Sequence, residues 1–309
     1  MGNVLRAMKK SAEHSTTLDH RAVRVVSMAV AGVEQAAVEA LDGAAVVAAP
    51  LEAPPAAPAP AAPRLTPVGT DVPVEGPAAP MRRSSYFSPM ILAHHRPRCQ
   101  VVEQIRQVRT ALIRLANDGP MRCMITSAQP REGKTVTATN LAYTFSEISD
   151  KRTLLIDADL RRGSVAALLG MTRRAGLGDL LAGECTVDQA VWSAGRNSFH
   201  VLTAGTAPMD RVGELLSGRS AETVIGRLTE SYDYVVIDSP PVISVADAGI
   251  LGRFVDLAVL AVRIHRTHRS AVEQATQILE GVGVPVAGLI ALDEKAAGRS
   301  EYRYAGYTY

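Results

Sequence analysis

Residues 121–140 read Met-Arg-Cys-Met-Ile-Thr-Ser-Ala-Gln-Pro-Arg-Glu-Gly-Lys-Thr-Val-Thr-Ala-Thr-Asn. The apolar run from Met121 to Thr126 has the length of a buried strand, and from Gly133-Lys134-Thr135 onward the spacing is helical. A turn of small and rigid residues joins the two. The stretch therefore reads as strand, phosphate loop, helix. Backbone N–H groups at the start of a helix bind phosphate oxygens, a lysine adds charge for the β- and γ-phosphates, and a threonine hydroxyl ligates Mg²⁺. Gln129, Pro130, Arg131, Glu132, Gly133, Lys134, Thr135 and Val136 are the expected nucleotide-binding residues, with ATP and Mg²⁺ as cofactors. Ala128 stands where the usual motif has its first glycine, so other segments must support the assignment.

They lie downstream. Thr153 to Ile156 is a second strand, ending in Asp157-Ala158-Asp159, and Tyr234 to Ile237 is an apolar strand ending in Asp238-Ser239-Pro240-Pro241. Helical spacing covers 100–115, 134–148, 163–170, 178–182, 186–192, 211–217, 220–230, 244–253 and 268–281. Further strands are expected at 199–202, 256–263 and 284–291. Helices alternating with near-continuous Val/Ile/Leu runs predict an α/β fold with a mostly parallel sheet covered on both faces, a P-loop NTPase architecture. In such a sheet the ligand sits beyond the carboxyl ends of the strands. The loop, the Asp157/Asp159 pair and Asp238 all fall there. Magnesium keeps several waters and takes few protein oxygens, so Thr135, Asp238 and Asp157 are the candidate metal ligands. A carboxylate beside the γ-phosphate orients an attacking hydroxyl or takes its proton, a task for Asp157 and Asp159 with Lys134 on the phosphates.

Composition narrows the alternatives. With 47% hydrophobic and 21% charged residues and a formal net charge of +2, the chain gives no case for bulk nucleic-acid binding. Cys99, Cys123 and Cys185 lack metal-ligand spacing and fit reduced thiols in a cytosol. Residues 1–85 contain no aromatic side chain, and no uncharged apolar run near the N-terminus reaches the ~18 residues of a membrane span. The predicted organisation is an extension over 1–45, helical across Leu18–Leu41, then a Pro/Ala-rich linker over 46–90. Ten of the eighteen prolines fall between Pro50 and Pro80, a composition that behaves as an extended spacer. The nucleotide domain covers 91–293 and a tail covers 294–309. That tail holds Tyr302, Tyr304, Tyr307 and Tyr309, four of the eight tyrosines. Such a cluster implies that something binds or modifies it.

The loop Ser127–Thr135, the segment Leu154-Leu155-Ile156-Asp157-Ala158-Asp159-Leu160-Arg161 and the segment Val235-Val236-Ile237-Asp238-Ser239-Pro240-Pro241 together resemble the bacterial tyrosine kinases of capsule and exopolysaccharide synthesis. The resemblance runs from about Val101 to the last residue. Glu103-Gln-Ile-Arg106-Gln-Val-Arg109 matches that family's Glu-x-x-Arg-x-x-Arg oligomerisation helix, and the tail is similar to its C-terminal tyrosine cluster. The resemblance implies ATP-dependent autophosphorylation in trans of Tyr302, Tyr304, Tyr307 and Tyr309 within a ring-like homo-oligomer contacted through Glu103, Arg106 and Arg109. It also implies a membrane-anchored activator and co-polymerase, an opposing phosphotyrosine phosphatase, and a cytoplasmic location at the inner face of the plasma membrane through that partner. No nucleic-acid partner is expected. Two departures stand out: Arg131 occupies a position where the family commonly has glycine, and Gln129 replaces the signature lysine of the partition and septum-site ATPases. An ATPase switch of the partition type and a non-catalytic, ATP-gated co-polymerase subunit are the competing readings.

Overall fold

An apolar run of five to seven residues is stable as a strand only where both of its faces are covered. The computed structural model describes residues 24–30, 87–171, 175–195 and 198–293. Its strands, in chain order, are β1 (Arg24–Val30), β2 (Met121–Ser127), β3 (Thr153–Asp157), β4 (Val191–Ser193), β5 (Phe199–Leu202), β6 (Tyr234–Asp238), β7 (Leu257–Arg263) and β8 (Val286–Asp293). They form one sheet in the order β1-β8-β7-β2-β6-β3-β5-β4. All inner pairings are parallel, and β1 and β4 close the two edges antiparallel. The helices are α1 (Leu92–His95), α2 (Gln100–Leu115), α3 (Lys134–Phe145), α4 (Val165–Leu168), α5 (Leu177–Leu181), α6 (Val187–Ala190), α7 (Val212–Ser217), α8 (Arg219–Glu230), α9 (Asp247–Leu251) and α10 (Arg269–Gly281), with a 3₁₀ turn at Gly252–Phe254.

The strand period of two splits each run between two cores. On one side Met124, Leu154, Ile156, Val235, Ile237, Ala258 and Leu260 pack with α5, α7, α8, α9 and α10. On the other, Met121, Cys123, Ile125, Leu155, Val236 and Val259 pack with α1, α2 and α3. Nearly every residue of α3 is buried, which suits a helix lying between the sheet and α2. The predicted mostly parallel, two-faced sheet is the observed one.

Register fixes where the chemistry lies. β3 pairs with β6 from Thr153↔Tyr234 to Asp157↔Asp238, so the two terminal carboxylates are cross-strand neighbours. β2 lies on the other side of β6, with Ile125 opposite Asp238, and its C-terminal end feeds the phosphate loop. β2 therefore leads to β3 across β6, and the strand order reverses at β2. That is where a ligand crevice forms.

Several boundaries differ from the sequence reading. Residues 24–30, expected within a helix, are strand β1: Arg24-Val-Val-Ser-Met-Ala-Val30 is rich in β-branched valine, and the open edge of β8 supplies the pairing partner. The last strand is shifted two residues onward to Val286–Asp293, and Val191–Ser193, expected as helix, adds an edge strand. On α2 the buried stripe is Val102, Ile105, Val108 and Leu112, while Leu115 at the helix end is 43% exposed. The linker around Pro50–Pro80 and the tyrosine tail lie outside the described residues. Among the described residues no helix is long and apolar enough to cross a membrane.

The charged side of α2 does not simply face water. The Arg106 guanidinium forks onto Glu147, just beyond α3, with Nε donating to Oε2 and Nη2 to Oε1, both at 2.8 Å. Nη1 of Arg106 also donates to Glu103 at 3.1 Å. Arg109 Nη1 donates to the Thr144 carbonyl at 2.5 Å and to Glu147 at 3.3 Å. Glu147→Ala is expected to cost about 2 kcal/mol, because it leaves two half-buried guanidinium groups without their carboxylate. Urea unfolding checks this; an unchanged midpoint would show that the clamp contributes nothing.

Candidate active site

The phosphate loop leaves β2 at Ser127 and enters α3 at Lys134. Gly133 caps the helix with φ +89°, a conformation that disfavours side chains, and a Cβ there would also lie 2.5 Å from Leu292 Cδ1. Arg131 adopts φ +66° without being glycine, so the loop holds backbone strain. Its turn is fixed by side chains: Ser127 Oγ donates to the Gln129 carbonyl at 2.8 Å, and the Gln129 N–H donates to Glu132 Oε2 at 2.9 Å. Of the expected nucleotide-binding residues, Glu132 thus turns its carboxylate into the loop, and Gln129 spends its N–H on that carboxylate.

Lys134 stands at the centre of three carboxylates. Its Nζ lies 2.9 Å from Asp159 Oδ2 and 3.7 Å from Asp238 Oδ1. Burial alone would drive the ammonium towards neutrality, but Asp238, Asp159 and Asp157 outweigh it and hold the pKa above the usual lysine value. Lys134 is a fixed cation. Asp157 is wholly buried and committed to the backbone, accepting the Asp159 N–H at 3.2 Å on Oδ1 and the Val165 N–H at 3.0 Å on Oδ2. It therefore shapes the turn that carries Asp159 back over Lys134. The Asp159 carboxylate accepts the Arg162 N–H at 3.1 Å as well as the lysine. Thr135 sits beside them, its hydroxyl oxygen 3.3 Å from Ser164 Oγ.

Asp238 differs from its neighbours. It is fully buried, and neither carboxylate oxygen has a hydrogen-bond partner among the described residues. Burial pushes its pKa well above the usual carboxylate range; Lys134 opposes the rise, Asp157 adds to it, and the Thr135 hydroxyl eases it from a geometry that falls short of a hydrogen bond. Burial likewise pushes Asp157 up, against the Val165 N–H and Lys134. Three ionised carboxylates against one lysine leave a buried charge of minus two. A divalent cation would cancel it, and in its absence protons do so in part. The donor set fits Mg²⁺, with Thr135 and Asp238 in position to hold the ion and its waters. Among the described residues no closed cage of three or more His, Cys, Asp or Glu ligands exists, and magnesium beside phosphates needs none.

A second ion pair stiffens the loop after β3. Arg161 forks onto the buried Asp247 of α9, at 2.6 and 3.2 Å, and its Nη1 reaches the Met209 carbonyl at 3.2 Å. No spacing rule joins residues 86 apart, so this contact was invisible in the sequence.

Comparisons with known proteins agree with this geometry. The AAA-domain family model matches residues 129–280. The chain is 35% identical over 225 residues to the tyrosine-protein kinase YwqD of Bacillus subtilis, covering 72% of this chain and 94% of that protein. It is 34% identical over 200 residues to the tyrosine-protein kinase etk of Escherichia coli K12, but spans only 27% of that longer protein. Among solved structures, the kinase domain of the E. coli tyrosine kinase ETK aligns with a TM-score of 0.64 at 32% identity, covering 74% of this chain and 88% of that one. The chimerical protein CapA2B2 aligns with a TM-score of 0.63 at 25% identity, covering 66% and 89%. With a phosphate loop feeding a lysine ringed by strand-end carboxylates, and a match to nearly all of one such kinase, the chain belongs to the bacterial tyrosine kinases.

Proposed function

We propose that the chain is an ATP-dependent protein-tyrosine autokinase that phosphorylates Tyr302, Tyr304, Tyr307 and Tyr309 on a neighbouring copy, and so regulates exopolysaccharide or capsule polymerisation and export. The observation that carries the reading is the buried Lys134–Asp159–Asp238 cluster, with two Asp238 oxygens that take no hydrogen bond among the described residues, in a chain whose relatives are named tyrosine-protein kinases. Bound Mg-ATP supplies the γ-phosphoryl group, and the metal offsets charge on the phosphate oxygens. Lys134 holds a positive charge against those oxygens. Thr135 and Asp238 would hold the ion. Asp159, tethered by Lys134 and the Arg162 N–H, faces the incoming phenol with Asp157 behind it, orients the hydroxyl and takes up its proton. Catalysis of this kind is positioning and charge neutralisation, which a preformed buried cluster supplies.

The 16 residues beyond Asp293 span up to ~55 Å when extended, enough to reach a neighbouring subunit's site. Each phosphotyrosine adds about −1.5 to −2 charges, so a modified tail is repelled by the acidic cluster and leaves it. In this reading the subunits form a ring-like homo-oligomer through Glu103, Arg106 and Arg109. The internal clamp on Glu147 holds Arg106 and Arg109 in place for that contact. A membrane-anchored activator and co-polymerase recruits the ring to the inner face of the membrane, and a phosphotyrosine phosphatase resets it.

Phosphopeptide mass spectrometry of the C-terminal peptide after incubation with Mg-ATP tests the assignment. Phosphate is expected on tail tyrosines of the parent and nowhere in that peptide of a variant with all four changed to phenylalanine. A bare parental tail beside measurable ATP hydrolysis would replace the kinase by an ATPase switch.

A further inference from the structure

Glu132 is a buried carboxylate that no part of the mechanism above uses. It is 5% exposed, lies within the phosphate loop, and feels the charge of Arg263 without taking a hydrogen bond from a cation among the described residues. Neutral donors satisfy it instead. Oε2 takes the Gln129 N–H at 2.9 Å, and Oε1 takes the hydroxyl of Thr267, a residue 135 positions away in the loop between β7 and α10. Thr267 is itself buried, and its oxygen accepts the Arg263 N–H at 2.8 Å, tying the contact to the end of β7. A continuous polar strut thus runs from the first turn of the phosphate loop, through Glu132 and Thr267, to the carboxyl end of the neighbouring strand.

The backbone on both sides of the strut is strained. Arg131, next to Glu132, and His265, two residues before Thr267, both adopt φ +66°. Neither is glycine, and left-handed backbone persists at such residues only where the surroundings over-determine it. Fixing both ends of the strut imposes that determination. The outcome is chemical. Glu132 occupies the Gln129 N–H from inside the loop, so that amide is held by the strut rather than by a ligand. Burial pushes the Glu132 pKa up, while its hydrogen bonds from Thr267 and the loop backbone and the charge of Arg263 pull it back.

We infer that Glu132 is a positioning residue for the nucleotide: with Thr267 it holds the phosphate loop in its phosphate-binding shape before the ligand arrives. The inference rests on the reading of the loop as a nucleotide site. A loop shaped in advance binds ground state and transition state equally, so losing the strut raises KM for ATP and leaves kcat nearly unchanged.

Mg-ADP titration followed by calorimetry tests this without requiring phosphoryl transfer. Thr267→Val keeps the side-chain volume, removes the donor and is expected to weaken Mg-ADP binding about tenfold, the effect of one buried carboxylate oxygen left unpaired. Thr267→Ser restores the hydroxyl and is expected to return affinity to within about twofold of the parent. The double variant Glu132→Gln with Thr267→Val is expected to bind no worse than the weaker single variant, since both break the same strut. Parental affinity in folded Thr267→Val, or fully additive losses in the double variant, would overturn the inference and leave the nucleotide site standing. A parent that binds no Mg-ADP would remove the nucleotide site and the inference with it.

Discussion

Lys134→Met is expected to lower phosphorylation of the tail tyrosines by at least about a hundredfold, the loss that follows removal of one preorganised charge partner at a transferring group. The argument is local. Among the described residues Lys134 is the cation paired with both Asp159 and Asp238, at 2.9 and 3.7 Å. Without it the site presents three carboxylates to an incoming polyphosphate, so binding and transfer both suffer. The raised pKa values of Asp157 and Asp238 should climb further, because the group opposing their rise is gone. Timed phosphopeptide quantification at saturating Mg-ATP measures the rate. A variant keeping more than about a tenth of parental transfer would mean that Lys134 is not the phosphate's partner.

Asp238→Asn should separate stability from activity in the opposite sense to most active-site changes. An ionised carboxylate with no hydrogen bonds in a fully buried position is a standing cost to the ligand-free fold. Its folded pKa is raised above the unfolded value, so the folded chain binds the proton more tightly. The group's stability contribution is complete below the unfolded pKa and is lost as pH rises through the folded one. Asp157, raised in the same direction, adds to the slope. Ligand-free parent should therefore lose stability from the ordinary carboxylate range near pH 4 upward into the neutral range. Asp238→Asn should flatten part of that loss and unfold at higher denaturant at pH 7, by about 1–2 kcal/mol. The same variant should lose Mg²⁺-dependent transfer by about a hundredfold or more. Urea unfolding across pH, with transfer assayed alongside, checks both. An asparagine variant that is less stable than the parent at pH 7 would show that the carboxylate is not strained by its burial.

What the sequence disclosed and what it hid divide along one line. The phosphate loop, Asp157, Asp159 and Asp238 were legible because each is written locally, as an apolar strand followed directly by its functional residue. The alternation of strand and helix then placed them at one end of one sheet. The different duties of Asp157 and Asp159 were not legible, because residues two apart share a face of an extended chain; the turn after β3 parts them, with Asp159 2.9 Å from Lys134 and Asp157 spent on backbone N–H groups. Contacts between distant residues were not legible. Arg106 with Glu147, Arg161 with Asp247 and Glu132 with Thr267 join elements that meet only after the sheet has assembled. The segment at 24–30 was misread for a different reason. Its alanines and valines suit either state, and the choice falls to β8, whose free edge offers a ladder no helix could use.

The buried Asp238 carboxylate has one more consequence, for the lifetime of the protein rather than its chemistry. A ligand that binds only the folded chain adds about 2.7 kcal/mol when present at a hundred times its dissociation constant, and here it also removes an internal repulsion. The folded population then follows the supply of charged nucleotide. A cell short of ATP would present more of the open chain to its proteases, so the abundance of the protein should fall together with the nucleotide supply.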